Sequence, residues 1–407
     1  MRLLLVLLLS LATSASAQTF GVSGDALTGS SSRSITVCIV PDIQNIVSQS
    51  DFDAEGGATS CPVTSGYCTG SSCTASPYCS GNWHQTGRIM LANMAYSLTG
   101  QWSQVDYSAI RGADAVLSRF GTSLDHGKCD LIVGVGDYLD TISGSGDPSF
   151  ASLSATYLRM YSASLGFWRI IKDSGIPFLP ARGNHDPEQV FAQMMTDLGF
   201  ASLPFYYDSH SEGDQYAIKF STQTGKDFCV LSMDDNALSV AGDRLTASEA
   251  AWVTSTVGCG DELPTIIVRH DGVDTNGALN PDPVGSFADV IADANNDEVF
   301  MLVGGHHTPT PIASYKGTEA NVSGKSVLKL FSNWQEADRH ASNVGGTGIT
   351  ASDGAGGEYT VVGIDADVDR ICAHDWNPYW QKRGNISTSS IVTTSICIDF
   401  DFDARFE

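Results

Sequence analysis

The sequence predicts an α/β protein, one domain of α/β/β/α layering with its strands buried between helices. Three observations carry this. Short apolar runs rich in β-branched residues recur along the whole chain, and amphipathic patterns of helical spacing separate several of them. Many of the runs are apolar throughout rather than alternating, as strands covered on both faces are. With 42% hydrophobic and 17% charged residues, the 407-residue chain has the composition of a globular protein, not a disordered one. No internal repeat and no flexible linker divides it.

Ile35 to Pro41 is the first strand, ending at Asp42. A helix follows from about Gln85, with Ile89, Leu91, Met94, Ala95 and Leu98 on one side, and a second amphipathic pattern holds Ala109, Ala113, Val116, Leu117 and Phe120. Asp130 to Gly136 is a strand ending at Asp137. A helical stretch from Phe150 to Ile171 leads to the strand Ile176 to Ala181, which runs into Arg182-Gly183-Asn184-His185-Asp186. Pro187 and Glu188 open the next helix, spaced by Val190, Phe191, Met194 and Leu198. Tyr216 to Phe220 and Phe228 to Asp234 read as a hairpin. Thr246-x-x-Glu249 is a capping box for a helix carrying Trp252 and Val253. Thr265 to Val268 is a buried strand ending near His270, Ser286 caps a short helix, and Glu298 to Val303 ends at Gly304-Gly305-His306-His307. From about 327 onward the chain is rich in strand-like runs.

Residues 1–17 read as a secretory signal: Arg2, the apolar core Leu3 to Leu11, then Ala15-Ser16-Ala17. The expected mature chain, 18–407, is then secreted, extracellular or periplasmic according to the host. The apolar core is too short to span a bilayer, and no later stretch is long enough. Export makes the ten cysteines a disulfide set. Cys61, Cys68, Cys73 and Cys79 crowd an insertion at about 51–82 that has no hydrophobic period, where two local bridges are expected; a four-thiolate zinc site competes. Cys372 with Cys397, Cys229 with Cys259 and Cys38 with Cys129 are further candidate pairs. Asn321 and Asn385 begin N-glycosylation sequons. A net charge of −24 argues against a nucleic-acid or anionic-membrane partner. An anionic substrate would need local positive charge, which bound metal ions supply.

The chemistry gathers at strand ends. Asp42-x-Gln44, Gly136-Asp137-x-x-Asp140, Gly183-Asn184-His185-Asp186, His270 and Gly305-His306-His307 each follow an apolar run. One such end is a solvated loop. A series built from Asp, Asn and His points to a metal centre at the carboxyl edge of a sheet. Arg182 and Arg269 flank these ends, where strand alternation turns them away, so each reads as structural or at the rim. His84 reads as a surface histidine. His126, His210, His340 and His374 have no motif around them; Asp234-Asp235 reads as a turn, and Asp399, Asp401 and Asp403 as an edge strand.

In order and spacing these ends resemble the calcineurin-like metallophosphoesterases, over about Ile35 to Ile364. Gly-Asp-Tyr-Leu-Asp and Gly-Asn-His-Asp match specifically, the rest in part. The resemblance implies a four-layer sandwich of two mixed sheets and two divalent metal ions bridged by Asp137. It also implies a second metal site of Asn184, His270 and His306, with His185 acting on the leaving oxygen. Asp42 would serve the first site. There the chain departs from the family: Gln44 stands at a histidine position, as in a subgroup whose first motif ends in Pro-Asp-x-Gln, and Thr308 stands at another, with His307 one place early. The first site becomes oxygen-rich, suited to Mn²⁺, Mg²⁺ or Ca²⁺, while the second suits Zn²⁺, Fe or Mn²⁺. The implied activity is hydrolysis of a small phosphate mono- or diester by metal-activated water, with His185 as general acid. The alternative is a non-catalytic extracellular metal-binding or structural protein that retains the fold.

Overall fold

The computed structural model describes residues 34–43, 94–101, 128–139, 148–211, 214–221, 227–233, 247–274, 277–279, 296–306, 314–333, 359–365, 370–376 and 395–399, with a few isolated positions between. The cysteine-rich insertion, Gln44, Asp140, His307 and Asn385 lie outside them. In chain order the elements are β1 (Ser34–Val40), β2 (Leu131–Gly134), α1 (Ala155–Asp173), β3 (Phe178–Pro180), α2 (Glu188–Asp197), β4 (Tyr206–Ser209), β5 (Tyr216–Ser221) and β6 (Asp227–Met233). There follow α3 (Ala247–Thr256), β7 (Thr265–Arg269), β8 (Val299–Gly304), β9 (Ser314–Ala320), β10 (Ser326–Ser332), β11 (Tyr359–Asp365), β12 (Arg370–Trp376) and β13 (Ser395–Asp399).

They form two mixed sheets, ordered β13-β12-β11-β1-β2-β3 and β4-β5-β6-β7-β8-β10-β9. In the first the parallel strands β1-β2-β3 occupy one edge and the antiparallel strands the other, whereas in the second the parallel β6-β7-β8-β10 are flanked on both sides by antiparallel strands. The expected hairpin is β5–β6, paired from Ala217↔Leu231 to Ser221↔Asp227.

Alternation along β6 shows how the layers stack. Phe228 and Val230 join a core shared with Val133 of β2 and Phe178 of β3, so the two sheets face each other. Cys229, Leu231 and Met233 point the other way and pack with Val253 of α3. The first sheet is held by α1, whose Trp168 stacks on Phe178 at 5.6 Å and meets Tyr138 edge-on at 5.4 Å. Leu91, Met94, Ala95 and Leu98 are buried in the same core, as their helical spacing requires. The stretch beginning at Phe150 is not one helix. Phe150–Ser152 is a single 3₁₀ turn, and α1 starts only after Ser154, whose hydroxyl accepts from the Tyr157 amide at 3.4 Å.

Two candidate disulfides are present. Cys38–Cys129 ties β1 to the residue before Asp130, and Cys229–Cys259 ties β6 to the turn after α3. They close loops of 91 and 30 residues, which chain entropy values at about 3–5 kcal/mol each. Cys372 is also disulfide-bonded, and the β12–β13 register sets it opposite Cys397. Among the described residues no helix is long and apolar enough to cross a membrane. At the Asn321 sequon the side chain is committed to a turn. It is 8% exposed, its amide donates to Asp297 at 3.0 Å, and its oxygen accepts from the Lys325 amide at 2.8 Å.

Candidate metal centre

The parallel strands of both sheets deliver their carboxyl ends to one place. Val135 N donates to Val40 O at 3.0 Å and Ile43 N to Asp137 O at 3.3 Å, which brings the ends of β1 and β2 side by side. Across the sheet interface, a Cβ on Gly305, just past β8, would lie 2.3 Å from a Val135 methyl. The residue types at these ends follow from that crowding. A Cβ on Gly183 would sit 2.2 Å from both the amide nitrogen and the Oδ1 of Asp137, so only glycine lets the two loops touch. Asp137 itself adopts φ 54°, a strained conformation for a residue with a side chain.

Asp186 holds this arrangement together. One carboxylate oxygen accepts from the amides of Tyr138 at 2.9 Å and Leu139 at 3.1 Å, and the other from Gly183 at 3.0 Å. It thus buckles the loop after β2 to the loop after β3. Burial, then the neighbouring Asp137 charge, push its pKa up to about 7. His185 donates its own amide to Asp137 Oδ1 at 2.8 Å.

His270 lies at the centre, with no exposed surface. Its Nδ1 is 2.8 Å from the carbonyl oxygen of Val135. A carbonyl only accepts, so Nδ1 carries a proton and Nε2 is the nitrogen that faces the cavity. Three atoms converge on that Nε2: Asp137 Oδ2 at 2.9 Å, Asn184 Oδ1 at 2.9 Å and His306 Nδ1 at 3.0 Å. Even a protonated Nε2 has one hydrogen for three neighbours. Asp137 Oδ2 is buried without a hydrogen-bond partner. Burial works to raise the Asp137 pKa, but His270 and His185 outweigh it and hold the carboxyl below its ordinary range.

A carboxylate, an amide oxygen and two imidazole nitrogens directed at one point fit a divalent cation. The Nδ1–H···O=C bond of His270 is the outer contact that orients a ligating imidazole. Asp137, His270 and His306 offer ligand atoms within 4.8 Å of one another, and Asn184 joins them through its contact with His270. Asp42 is buried at the end of β1 but is not one of that close trio. Gln44 and His307 lie outside the described residues.

Sequence reasoning missed Asn333. It is fully buried just past β10, and its amide donates to His306 O at 3.2 Å, supporting the backbone of that loop. Its signal was the same one used elsewhere, a polar residue closing an apolar strand. It also missed a second buried cluster, His210, Asp214 and Glu249, whose ligand atoms lie within 4.8 Å of one another.

No protein-family profile matches the chain, and no curated protein matches it. Among solved structures, the crystal structure of TT1561 of Thermus thermophilus is similar at 10% identity and a TM-score of 0.34, covering 81% of this chain and 93% of that one. A likeness at that level carries no functional argument, and the site rests on the geometry of this chain.

Proposed function

We propose that this chain is a metal-dependent phosphoesterase, acting outside the cytosol on a small phosphate mono- or diester. The observation that carries the reading is the convergence of Asp137 Oδ2, Asn184 Oδ1 and His306 Nδ1 on His270 Nε2. The Gly-Asp-Tyr-Leu-Asp and Gly-Asn-His-Asp segments and their likeness to the calcineurin-like metallophosphoesterases name the reaction class.

In this reading Asp137, Asn184, His270 and His306 hold one cation, and Asp42, Gln44 and His307 belong to a second, weaker site that shares Asp137. Bound cations supply water activation and neutralise charge on the transferring phosphoryl group. The protein supplies position and a proton. His185, half-buried beside this centre, has its backbone fixed by the hydrogen bond to Asp137 and is assigned the leaving oxygen. The Cys38–Cys129 and Cys229–Cys259 bridges support an oxidising compartment.

The second reading is a protein with a single structural cation held by the close trio. Metal content by mass spectrometry, with hydrolysis assays on mono- and diesters after Mn²⁺ or Zn²⁺ loading, separates the two. The phosphoesterase reading expects two metal equivalents and metal-dependent turnover. One tight metal and no hydrolysis of either ester class replaces it with the binding-protein reading.

A further inference from the structure

Arg182 opens the loop that carries Asn184 and His185, yet the residue is only 2% exposed. One guanidinium nitrogen donates to Asp186 O at 3.4 Å, and another lies 3.9 Å from Asp214 Oδ2, with both side chains 3% exposed. Asp214 in turn belongs to the cluster with His210 and Glu249, all three buried. These residues come from separate places: His210 follows β4, Asp214 precedes β5, and Glu249 lies in the first turn of α3. His210 N donates to Gln215 O at 3.0 Å, which closes the β4–β5 turn, and its ring is 3.2 Å from Ser248 Oγ on α3.

We propose that Arg182 is a positioning residue, anchored by Asp214 and the cluster behind it so that the Asn184–His185 loop keeps its place at the metal centre. The loop is then held from two sides. Asp186 clamps it to the loop after β2, and Arg182 ties it to Asp214 of the β4–β5 turn, which lies beside Glu249 of α3. Charge explains the choice of residues. A buried guanidinium cannot shed its proton and is stabilised by a carboxylate, which Asp214 supplies, with Glu249 beside Asp214 in the cluster. Conversely, Arg182 brings to the cluster the permanent positive charge that a cation would otherwise bring. In this proposal the cluster needs no metal of its own.

The catalytic half of this inference rests on the phosphoesterase reading; the effect on the metal site does not. The test uses the full chain loaded with Co²⁺, whose visible spectrum reports the coordination number and geometry at the metal centre. Asp214→Asn removes the anchoring charge with little change of shape. It is expected to shift the Co²⁺ bands and weaken Co²⁺ binding by about 10–100-fold, the usual effect of an outer partner. Turnover should fall by about 10²-fold with KM changed less than threefold, as for a displaced catalytic group. Arg182→Lys keeps the charge but not the fork, and should recover part of both effects relative to Arg182→Met. If Asp214→Asn lowers the melting temperature but keeps the wild-type spectrum and affinity, the network is merely structural and the proposal is overturned. Loss of one metal equivalent in Glu249→Gln with the Co²⁺ spectrum intact overturns it in favour of a cation site at the cluster. Should the wild type hydrolyse no ester, the spectrum and affinity still decide.

Discussion

The two buried clusters of histidine and carboxylate flank the same loop, residues 182–186, and are built of the same residue types, but their charge is balanced differently. At one, the atoms facing His270 Nε2 are a carboxylate oxygen, an amide oxygen and another imidazole nitrogen. At the other, a guanidinium approaches Asp214. The first lies where parallel strands of both sheets end, and the second where the antiparallel β4–β5 edge meets α3. Parallel strand ends gather side chains from several strands around an open point, which suits an exchangeable ion. An edge turn under a helix is closed, which suits a fixed pair. Residue type alone does not distinguish a metal site from an ion-pair network; the nearest permanent positive charge does.

The largest expected effect breaks the first cluster alone. Asp137→Asn should loosen both cations together, lowering metal affinity further than the roughly 10–100-fold typical of an outer partner. Equilibrium dialysis with metal analysis reads this, and a variant that keeps wild-type metal content contradicts the bridging role. His185→Ala comes next. Turnover should fall by about 10²–10⁴-fold while metal content stays near wild type, and the loss should shrink for esters with good leaving groups. Equal losses on good and poor leaving groups would reduce His185 to an orienting residue.

Thermal and chemical denaturation sharpen the contrast further. Mn²⁺ at about 100 times its dissociation constant should stabilise the wild type by about 2.7 kcal/mol. The same increment is expected in Glu249→Gln, and a clearly smaller one in His270→Ala. A smaller increment in Glu249→Gln would mean that the second cluster also binds the ion. The smallest effect is steric. Gly183→Ala forces a Cβ against Asp137 and should cost about 1–3 kcal/mol, with weakened metal binding. A fully stable, metal-replete Gly183→Ala protein would show that the two loops do not need their close approach.

Much of the first cluster was legible because its signal is local. A polar group directly after an apolar run marks a strand end, and Asp137, Asn184, His270 and His306 all announced themselves that way. The order of the strands was not legible. β11 lies beside β1 although most of the chain separates them, and β10 inserts between β8 and β9. Such pairings join segments far apart in the chain, where no local pattern specifies the partner.

The sequence by itself determined where strands end and which of those ends carry side chains of ligand type, since both are written in neighbouring residues. It also made glycine necessary near those ends, though not what each glycine would touch. Only the tertiary structure decided the part played by Arg182, which read as structural or at the rim, and by His210, which had no motif around it. Their roles depend on distances to Asp214 and Glu249, from other segments of the chain. Charge pairing falls off with separation and strengthens with burial, and both quantities exist only once the chain has packed.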